Sequence, residues 1–189
     1  MADYTALADA GRTLQYMFRA CMTPDPIPQP ELIGLASPAD KGDLMLSIFL
    51  YEVTPNGMAQ HNYMIDRGSS QQAPPLAVDL HYLVTAHSNA ELATRAIDEQ
   101  RILGRAIQVL HDNGTVRGSF LQGVLADNDE EFRIVMQEPL SLHTAITLFP
   151  NLPYKLSFSF LAGPIYIDSG RNKPITRIVE RQDRVSEVE

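Results

Sequence analysis

The sequence has little of several features that mark common protein classes. Its 189 residues include one cysteine, Cys21, and no tryptophan. A single cysteine cannot close an internal disulfide, which is typical of a protein that folds in a reducing compartment. The longest apolar run, residues 44–53, is about half the length that a membrane-spanning helix needs. We therefore expect no disulfide and no membrane insertion.

Positive charge is also scarce. The chain has 15 Lys and Arg residues against 23 Asp and Glu, which gives a net charge of −8 and a pI of about 5.0. An acidic field repels phosphate groups, so nucleic-acid binding is disfavoured. Residues 1–4 contain no basic region followed by an apolar block, so no secretory signal is predicted. These features indicate a protein of the cytoplasm.

What the sequence does have is the composition of a folded domain. Hydrophobic residues make up 44% and charged residues 20%, which is typical of a globular chain. The length suits one domain with its own core. We interpret residues 1–169 as this domain and residues 170–189 as a charged C-terminal arm, because the last stretch holds few apolar side chains.

Apolar residues at helical spacing predict two main helices. The first covers residues 4–22, with Asp3 as its N-cap and with Asp9, Arg12 and Arg19 on the face away from the core. The second follows the capping-box spacing of residues 88–91 and ends near residue 111. Its expected buried face consists of Leu92, Ala96, Leu103, Ala106, Ile107 and Leu110. Prolines at alternate positions from 24 to 30 predict a stiff, extended connector after the first helix.

Short apolar or alternating stretches predict about five strands, at residues 31–36, 44–53, 76–86, 132–138 and 154–167. We expect residues 44–53 to be covered on both faces, and residues 76–86 to be buried on one face and largely polar on the other. Gly163 and Pro164 should interrupt the last strand at a bulge or an edge. Residues 58–75 are predicted to form a long, mobile loop, and residues 142–149 a short helix or a turn.

These elements predict an α+β fold. Two main helices should pack on one face of a mostly antiparallel, mixed sheet of about five strands. The helical crossover from the strand at 76–86 to the strand at 132–138 would allow one parallel pair.

The sequence shows few patterns typical of a catalytic or metal-binding site. The five histidines lack the paired spacing of a zinc site, and neither a Gly-x-Ser-x-Gly elbow nor a glycine-rich phosphate loop is present. The acidic turn at residues 127–131 lacks the glycine and the distal glutamate of a calcium loop. Asp79 and His81 share one face of a predicted strand and form the one candidate acid–base pair. We therefore expect no enzymatic activity, no metal and no cofactor.

Four stretches taken together resemble a known family. They are FLYEVTPNG at 49–57, PLAVDLHYLVTA at 75–86, LGRAIQVLHDN at 103–113 and YKLSFSFLAGPIYIDS at 154–169, preceded by YTAL at 4–7. Their order and spacing are similar to those of the cap, or tail-terminator, proteins of extracellular contractile injection systems. This group includes the antifeeding prophages and the Photorhabdus virulence cassettes.

The resemblance implies a structural role. Members of that family form a six-fold ring on the distal end of an inner tube, stop its growth and bind the last ring of sheath. The implied partners are other copies of the chain, the inner tube protein and the sheath protein. Some members carry a further C-terminal region, which leaves room for a paralogous cap protein as another partner. The implied location is a particle that assembles in the cytoplasm and is later released.

The residues expected to make these contacts lie in three places. The turn at 54–57 and the following loop should face a neighbouring subunit or the tube, and the arm should reach the sheath by adding a strand to it. Glu99 projects from the apolar face of the second helix. It either lies along the apolar surface or pairs with Arg95, or it contacts a neighbouring subunit. The full set is Thr54, Pro55, Asn56, Gly57, Arg67, Glu99, Arg171, Lys173, Ile175, Arg177, Ile178 and Val179.

Three alternatives stay open at this point. The chain could be another tail component, such as a sheath, baseplate or joining protein. It could be a small hydrolase-like enzyme that uses Asp79 and His81, which predicts a pocket around that strand. It could also be a monomeric module that binds peptides at its sheet edge, which predicts no self-association.

Overall fold

A six-stranded sheet organises the chain, and a smaller sheet lies beside it. The computed structural model describes residues 4–60, 63–66, 70–149 and 154–174. The strands in these ranges are β1 (Ile33–Leu35), β2 (Leu46–Pro55), β3 (Ile65–Asp66), β4 (Ser70–Gln72), β5 (Leu76–Ala86), β6 (Thr115–Val116), β7 (Phe132–Met136), β8 (Ser157–Ile167) and β9 (Asn172–Pro174). The α-helices are α1 (Ala6–Met22), α2 (Leu92–Asp112), α3 (Val124–Asp127) and α4 (Leu142–Leu148).

The strand order of the main sheet is β1-β2-β5-β8-β7-β6. All neighbours are antiparallel except β1 and β2, so the predicted α+β fold with a mostly antiparallel, mixed sheet is confirmed. The predicted position of the parallel pair is wrong. β8 lies between β5 and β7, because two strands of 11 residues form a longer ladder than β5 could form with the five residues of β7.

The main core lies between the two long helices and one face of the sheet. The helices contact each other, and α1 also contacts β1 and β8 while α2 contacts β5. On the sheet, the Tyr82 ring stacks on that of Phe160 with 5.5 Å between centroids. The helices contribute the buried side chains Ala6, Ala10, Leu14, Met17, Phe18, Met22, Ile102, Leu103, Ala106, Val109 and Leu110.

The first half of α2 departs from the expectation. Leu92 is 83% exposed and Ile107 is 41% exposed, although both were expected on the buried face. The helix joins the core only from Ile102 onward, so its first turns project from the body. The expected capping box is also absent. The N-cap is Glu91 without a side-chain bond, and the Ser88 hydroxyl instead accepts from the Ala90 N–H and donates to Asp98.

Helix α1 begins at Ala6 with Thr5 as its N-cap, and the predicted cap Asp3 lies outside the described residues. The prediction that Asp9 faces away from the core is wrong, because Asp9 is buried. Its carboxylate accepts the Val124 N–H at 3.1 Å and pairs with Arg12 at 3.0 Å. Gly123 makes room for this contact. It has φ +58°, and a Cβ there would lie 2.3 Å from the Asp9 carboxylate.

The burial of the two central strands differs from the predicted pattern. Only the first three residues of β2 are buried, and Val53 near its end is 43% exposed. In β5 the second face is also buried, at Leu83 and Thr85. Polar groups on that face are paired, as in the 2.9 Å contact between the Thr85 and Ser157 hydroxyls. This polar face of β5 can be buried because its hydroxyl groups make hydrogen bonds within the chain.

The strand β8 runs through Gly163 and Pro164 without a break. Its register against β5 shifts by one residue between the pairs Val78–Ile165 and Leu80–Ala162, so the extra residue forms a bulge. The predicted interruption is wrong, but the proline does sit at a bulge, where the missing N–H costs no ladder bond.

The smaller sheet has the order β3-β4-β9 and is antiparallel. It corrects two expectations. Part of the predicted loop at 58–75 forms the strands β3 and β4, and the first residues of the predicted arm pair with β4 as β9. Strands of two or three residues carry too few side chains to show a period, which is why the sequence did not indicate them.

Asp9 should matter more for stability than its ion pair alone suggests. We expect Asp9→Ala to lower the free energy of unfolding by about 1–3 kcal/mol, because the partly buried Val124 N–H loses its acceptor. Arg12→Ala is the matched control and should cost less than about 1 kcal/mol, since the Arg12 side chain is 67% exposed. Urea unfolding of both variants tests this. Equal losses would show that the ion pair, rather than the Val124 contact, carries the effect.

His87 should make the fold sensitive to acid. The imidazole is 1% exposed, its Nε2 lies 2.9 Å from the Ser47 hydroxyl, and its Nδ1 has no hydrogen-bond partner within the described residues. Burial, then the positive charges of Lys41 and Lys155, lower the pKa of His87 from 6.5 to about 4, while Glu99 acts in the opposite direction. The unfolded chain therefore binds the extra proton first, and stability falls as the pH drops from 6.5 toward 4.

We expect this group to account for a loss of roughly 3 kcal/mol over that window. His87→Gln should flatten the pH dependence of the free energy of unfolding between pH 7 and 4.5. His111→Gln, at an exposed histidine, should leave the dependence unchanged. The assignment is wrong if the wild type and His87→Gln lose stability in parallel.

Candidate interaction surfaces

The turn at residues 54–57 is held rigidly by its own side chains. Asn56 accepts the N–H groups of Met58 and Ala59 at 3.1 and 2.9 Å, and its amide donates to both carboxylate oxygens of Asp79 at 3.0 Å. The Thr54 hydroxyl lies 2.8 Å from His81 Nε2. The polar groups of the turn are therefore used inside the chain, and its exposed residues are Pro55 and Gly57. Contact of this turn with a neighbour or tube stays a prediction.

An apolar patch surrounds the same end of the sheet. Met58 is 101% exposed, Tyr63 66%, Leu76 47% and Met64 41%. Gln60 ties this segment to the start of β5, since its amide nitrogen donates to the Pro75 carbonyl at 2.8 Å and its oxygen accepts the Ala77 N–H at 3.2 Å. We call Met58, Tyr63, Met64 and Leu76 the tip patch. Several large apolar side chains exposed within one short segment are typical of a contact surface.

Asp79 and His81 each have partners of their own. Asp79 binds Asn56, and its carboxylate packs against Gly163 so closely that a Cβ there would lie 2.2 Å away. His81 binds Thr54 through Nε2 and the Gln137 side chain through Nδ1, and Tyr51 packs against its ring edge. No hydrogen bond joins Asp79 to His81 in the described chain. Their arrangement therefore gives no support to an acid–base pair.

Glu99 pairs with Lys155, and the expected pairing with Arg95 is wrong. The Glu99 Oε1 to Lys155 Nζ distance is 3.0 Å, and these side chains are 13% and 30% exposed. The same oxygen accepts the Ser88 N–H at 3.3 Å, while Arg95 donates to the Ala90 carbonyl. Glu99 thus joins α2 to the segment before β8. The alternative role of Glu99 in a neighbouring subunit's contact remains a prediction.

The arm residues divide into two groups. Arg171 and Lys173 are exposed, and the Arg171 carbonyl accepts the Ala73 N–H at 3.0 Å beside β9. The other candidate contact residues, Arg67, Ile175, Arg177, Ile178 and Val179, lie outside the described residues.

A polar groove of about 420 Å³ between the proline connector and α2 was missed from the sequence. Its lining residues are Asp25, Pro26, Arg101, Gly104, Arg105 and Gln108. Arg105 is anchored by a 2.9 Å bond to the Cys21 carbonyl, whereas Arg101 makes a long ion pair of 3.9 Å with Asp25 and no other in the part of the chain that the structure describes. The available signal was Gly104, an unusual residue in the middle of a long helix.

A second groove, of about 440 Å³, is apolar and lies between α1 and the β1–β2 edge. Leu35, Leu50 and Tyr82 are among its lining residues. The β1 edge beside it is partly closed, because Gln15 and Arg19 both donate to the Ile33 carbonyl. Such capping discourages the addition of a further strand at that residue.

Other site types receive no support from the described residues. They contain no group of three or more His, Cys, Asp and Glu side chains that could hold a metal ion. None of the helices in the described ranges combines the length and the apolar composition needed to cross a bilayer.

The whole fold is similar to two solved structures. One is the PVC sheath/tube terminator of an extracellular contractile injection system in its extended state, with a TM-score of 0.59 and 16% identity. The match covers 97% of this chain and 65% of that chain. The other is the anti-feeding prophage cap, described as the AFP tube terminating cap, with a TM-score of 0.61 and 17% identity over 94% of this chain and 61% of that chain. This chain therefore spans less than two thirds of the length of each.

A comparison with curated proteins gives no significant match. The family model described as the Pvc16 N-terminal domain matches residues 11–181, which is most of the chain. The family resemblance carried by the four sequence stretches is thereby confirmed. The chain belongs to the Pvc16 N-terminal domain family.

Proposed function

We propose that this chain is a tube-terminating cap subunit of a contractile injection system. The observation that carries the proposal is the family match over residues 11–181. The similarity of nearly the whole chain to the folds of a sheath/tube terminator and a tube-terminating cap supports it. In this role the protein acts by contact: it occupies the end of the inner tube and stops further tube subunits from adding. The particle would assemble in the cytoplasm and act after release.

The proposed working form is a six-membered ring. A closed ring in which each subunit meets the next head to tail needs two different, complementary surfaces on every subunit. The chain offers several separate surfaces of different chemistry, including the apolar tip patch and the polar groove that contains Arg101. Their separation suits a subunit that must bind its neighbours, the tube and the sheath at once.

We infer that the tip patch faces the tube. It stands at one end of the β2–β5 pair, and the turn beneath it is fixed by the Asn56 bonds to Asp79. A rigid base with flexible, polarisable methionine side chains is well suited to an imperfectly matched apolar partner. Met58, which is fully exposed, would make the largest contribution because it loses the most water on binding.

The sheath contact is assigned to residues 175–189. The strand β9 holds the start of this arm against β4, so the residues that follow leave from a fixed point. Ile175, Ile178 and Val179 are β-branched and favour an extended strand that a sheath sheet could accept. A paralogous cap protein could share this contact.

The first prediction of this proposal concerns assembly. Light scattering of the purified chain with tube protein should show multimers on tube ends, with a mass corresponding to six copies per end. Met58→Asp should lower the affinity for tube at least tenfold, because a charge replaces a buried methionine in the contact. Leu92→Asp, at a similarly exposed apolar residue on α2, is the matched control and should bind tube as the wild type does.

A wild-type chain that stays monomeric and ignores the tube would overturn the cap proposal and favour the peptide-binding module. Tube binding that is lost in Leu92→Asp and kept in Met58→Asp would move the tube contact to α2.

The second prediction concerns the arm. Truncation after Pro174 keeps β9 and should leave folding and tube capping intact, while retention of sheath on assembled particles is lost. Truncation after Gly170 also removes β9 and should in addition destabilise the β3-β4-β9 sheet. Electron microscopy of particles assembled with each truncation reads out the sheath. Intact, capped sheath on particles that carry the chain truncated after Pro174 would rule the arm out as the anchor.

A further inference from the structure

The polar groove beside α2 has features of an occupied surface. Arg101 lies on its wall with a side chain that is 66% exposed, and its one ion pair within the described residues, to the 87% exposed Asp25, is long at 3.9 Å. A pair of that length between exposed groups contributes little. On a chain with a net charge of −8, an under-neutralised arginine next to a second arginine, Arg105, marks a local site for negative charge.

Gly104 gives the groove its depth. It sits in the middle of α2 with ordinary helical dihedrals, and a Cβ added there would meet nothing within 4 Å. Nothing inside the chain therefore requires a glycine, although glycine disfavours a helix relative to alanine. The usual reason for such a residue is the close approach of another backbone, which here would come from outside the chain.

A rigid acidic turn lies elsewhere on the same subunit. The turn after α3 displays the exposed carboxylates of Asp127, Asp129 and Glu131, none of which has a cationic partner in the described ranges. Backbone bonds from residues 126–130 back to residues 123–126 hold this turn rigid.

The two surfaces lie at opposite ends of α1. Asp9 near its start binds Val124 at the beginning of the acidic turn's helix, and the Cys21 carbonyl near its end accepts from Arg105 in the groove. Twelve residues of helix separate Asp9 from Cys21, a distance of about 18 Å. The groove and the turn are thus too far apart to neutralise each other within one subunit, and they point to a head-to-tail contact between copies.

We propose that the Arg101–Arg105 groove of one subunit receives the acidic turn at 127–131 of the next copy in the ring. This inference rests on the proposed function, because it names the contact that closes the cap ring. The ion pairs would set the register and the direction of assembly within a larger interface, and Gly104 would let the turn approach the helix backbone.

Charge reversal tests this contact directly. Arg101→Glu and the double variant Asp127→Lys/Glu131→Lys should each reduce assembly on tube ends at least tenfold, because each places like charges opposite one another. Arg105 is left unchanged, since it also binds the Cys21 carbonyl. An equimolar mixture of the two variants should restore assembly, because alternating subunits then meet groove to turn with opposite charges at every contact of an even-membered ring.

Two further variants separate this contact from general effects. Asp43→Lys/Glu52→Lys changes the net charge by the same amount at two exposed acidic residues elsewhere and should assemble as the wild type does. Gly104→Phe fills the groove without a change in charge. It should leave the thermal melt of the monomer in place, since the site is open, and should abolish assembly.

The outcomes separate the two proposals. If the wild type caps tube and both reversal variants also cap it, or if the mixture fails to recover, the groove contact is overturned while the cap function stands. Normal assembly of Gly104→Phe would likewise overturn it. If the wild type neither multimerises nor binds tube, the cap function fails and the groove contact fails with it.

Discussion

The antiparallel ladder between β5 and β8 is the constraint on which the rest of the structure depends. It runs from the pair Leu76–Ile167 to the pair Thr85–Ser157, and β2 forms a second long ladder on the other side of β5. Residues that are about 80 positions apart in sequence are joined over the full length of both strands. Every other element is attached to this unit, with the long helices on one face and the segment after β7 bonded to the other through Ser159.

The register of that ladder is fixed by what its two faces carry. One face presents Tyr82 against Phe160 to the helices, and the other presents Thr85 against Ser157 and His81 against Gln137. A slip of one residue would move the aromatic rings to the polar face and the hydroxyl pairs into the apolar core. The bulge at Gly163 takes up the extra residue of β8 opposite the Asp79 carboxylate. The polar pairs from His81 to Thr85 therefore keep their partners.

The sequence predicted the elements whose period is long enough to be recognised. The two long helices, the strand at 76–86 and the fold class follow from 3.6- and 2-residue spacing. Sequence spacing does not reveal partners far along the chain, so Glu99 was identified as unusual while Lys155, 56 residues away, was not recognised as its partner. Asp9 was misplaced for the same reason: its burial is compensated by Val124, 115 residues away. The turn predicted at 54–57 was placed about two residues early, because β2 continues to Pro55 and the turn follows at residues 57–59. The groove around Arg101 requires the connector to lie beside α2, which sequence spacing does not show.

The acidity of the chain bears on how a cap of this kind would assemble. Copies of the chain in the proposed ring each carry a net charge of −8 and repel one another at close approach, since physiological salt screens the repulsion only beyond about 8 Å. Subunits would then associate only where specific contacts outweigh this repulsion. The few cations placed at a mutual contact, such as Arg101, add direction to association, while the apolar tip patch adds affinity when tube is present. In the proposed ring, the charged contact at Arg101 and the apolar contact of the tip patch with the tube are both needed. The tube end brings the subunits together, and the charged contact sets their order. In the proposed role, the general negative charge of the chain would make assembly conditional on the tube.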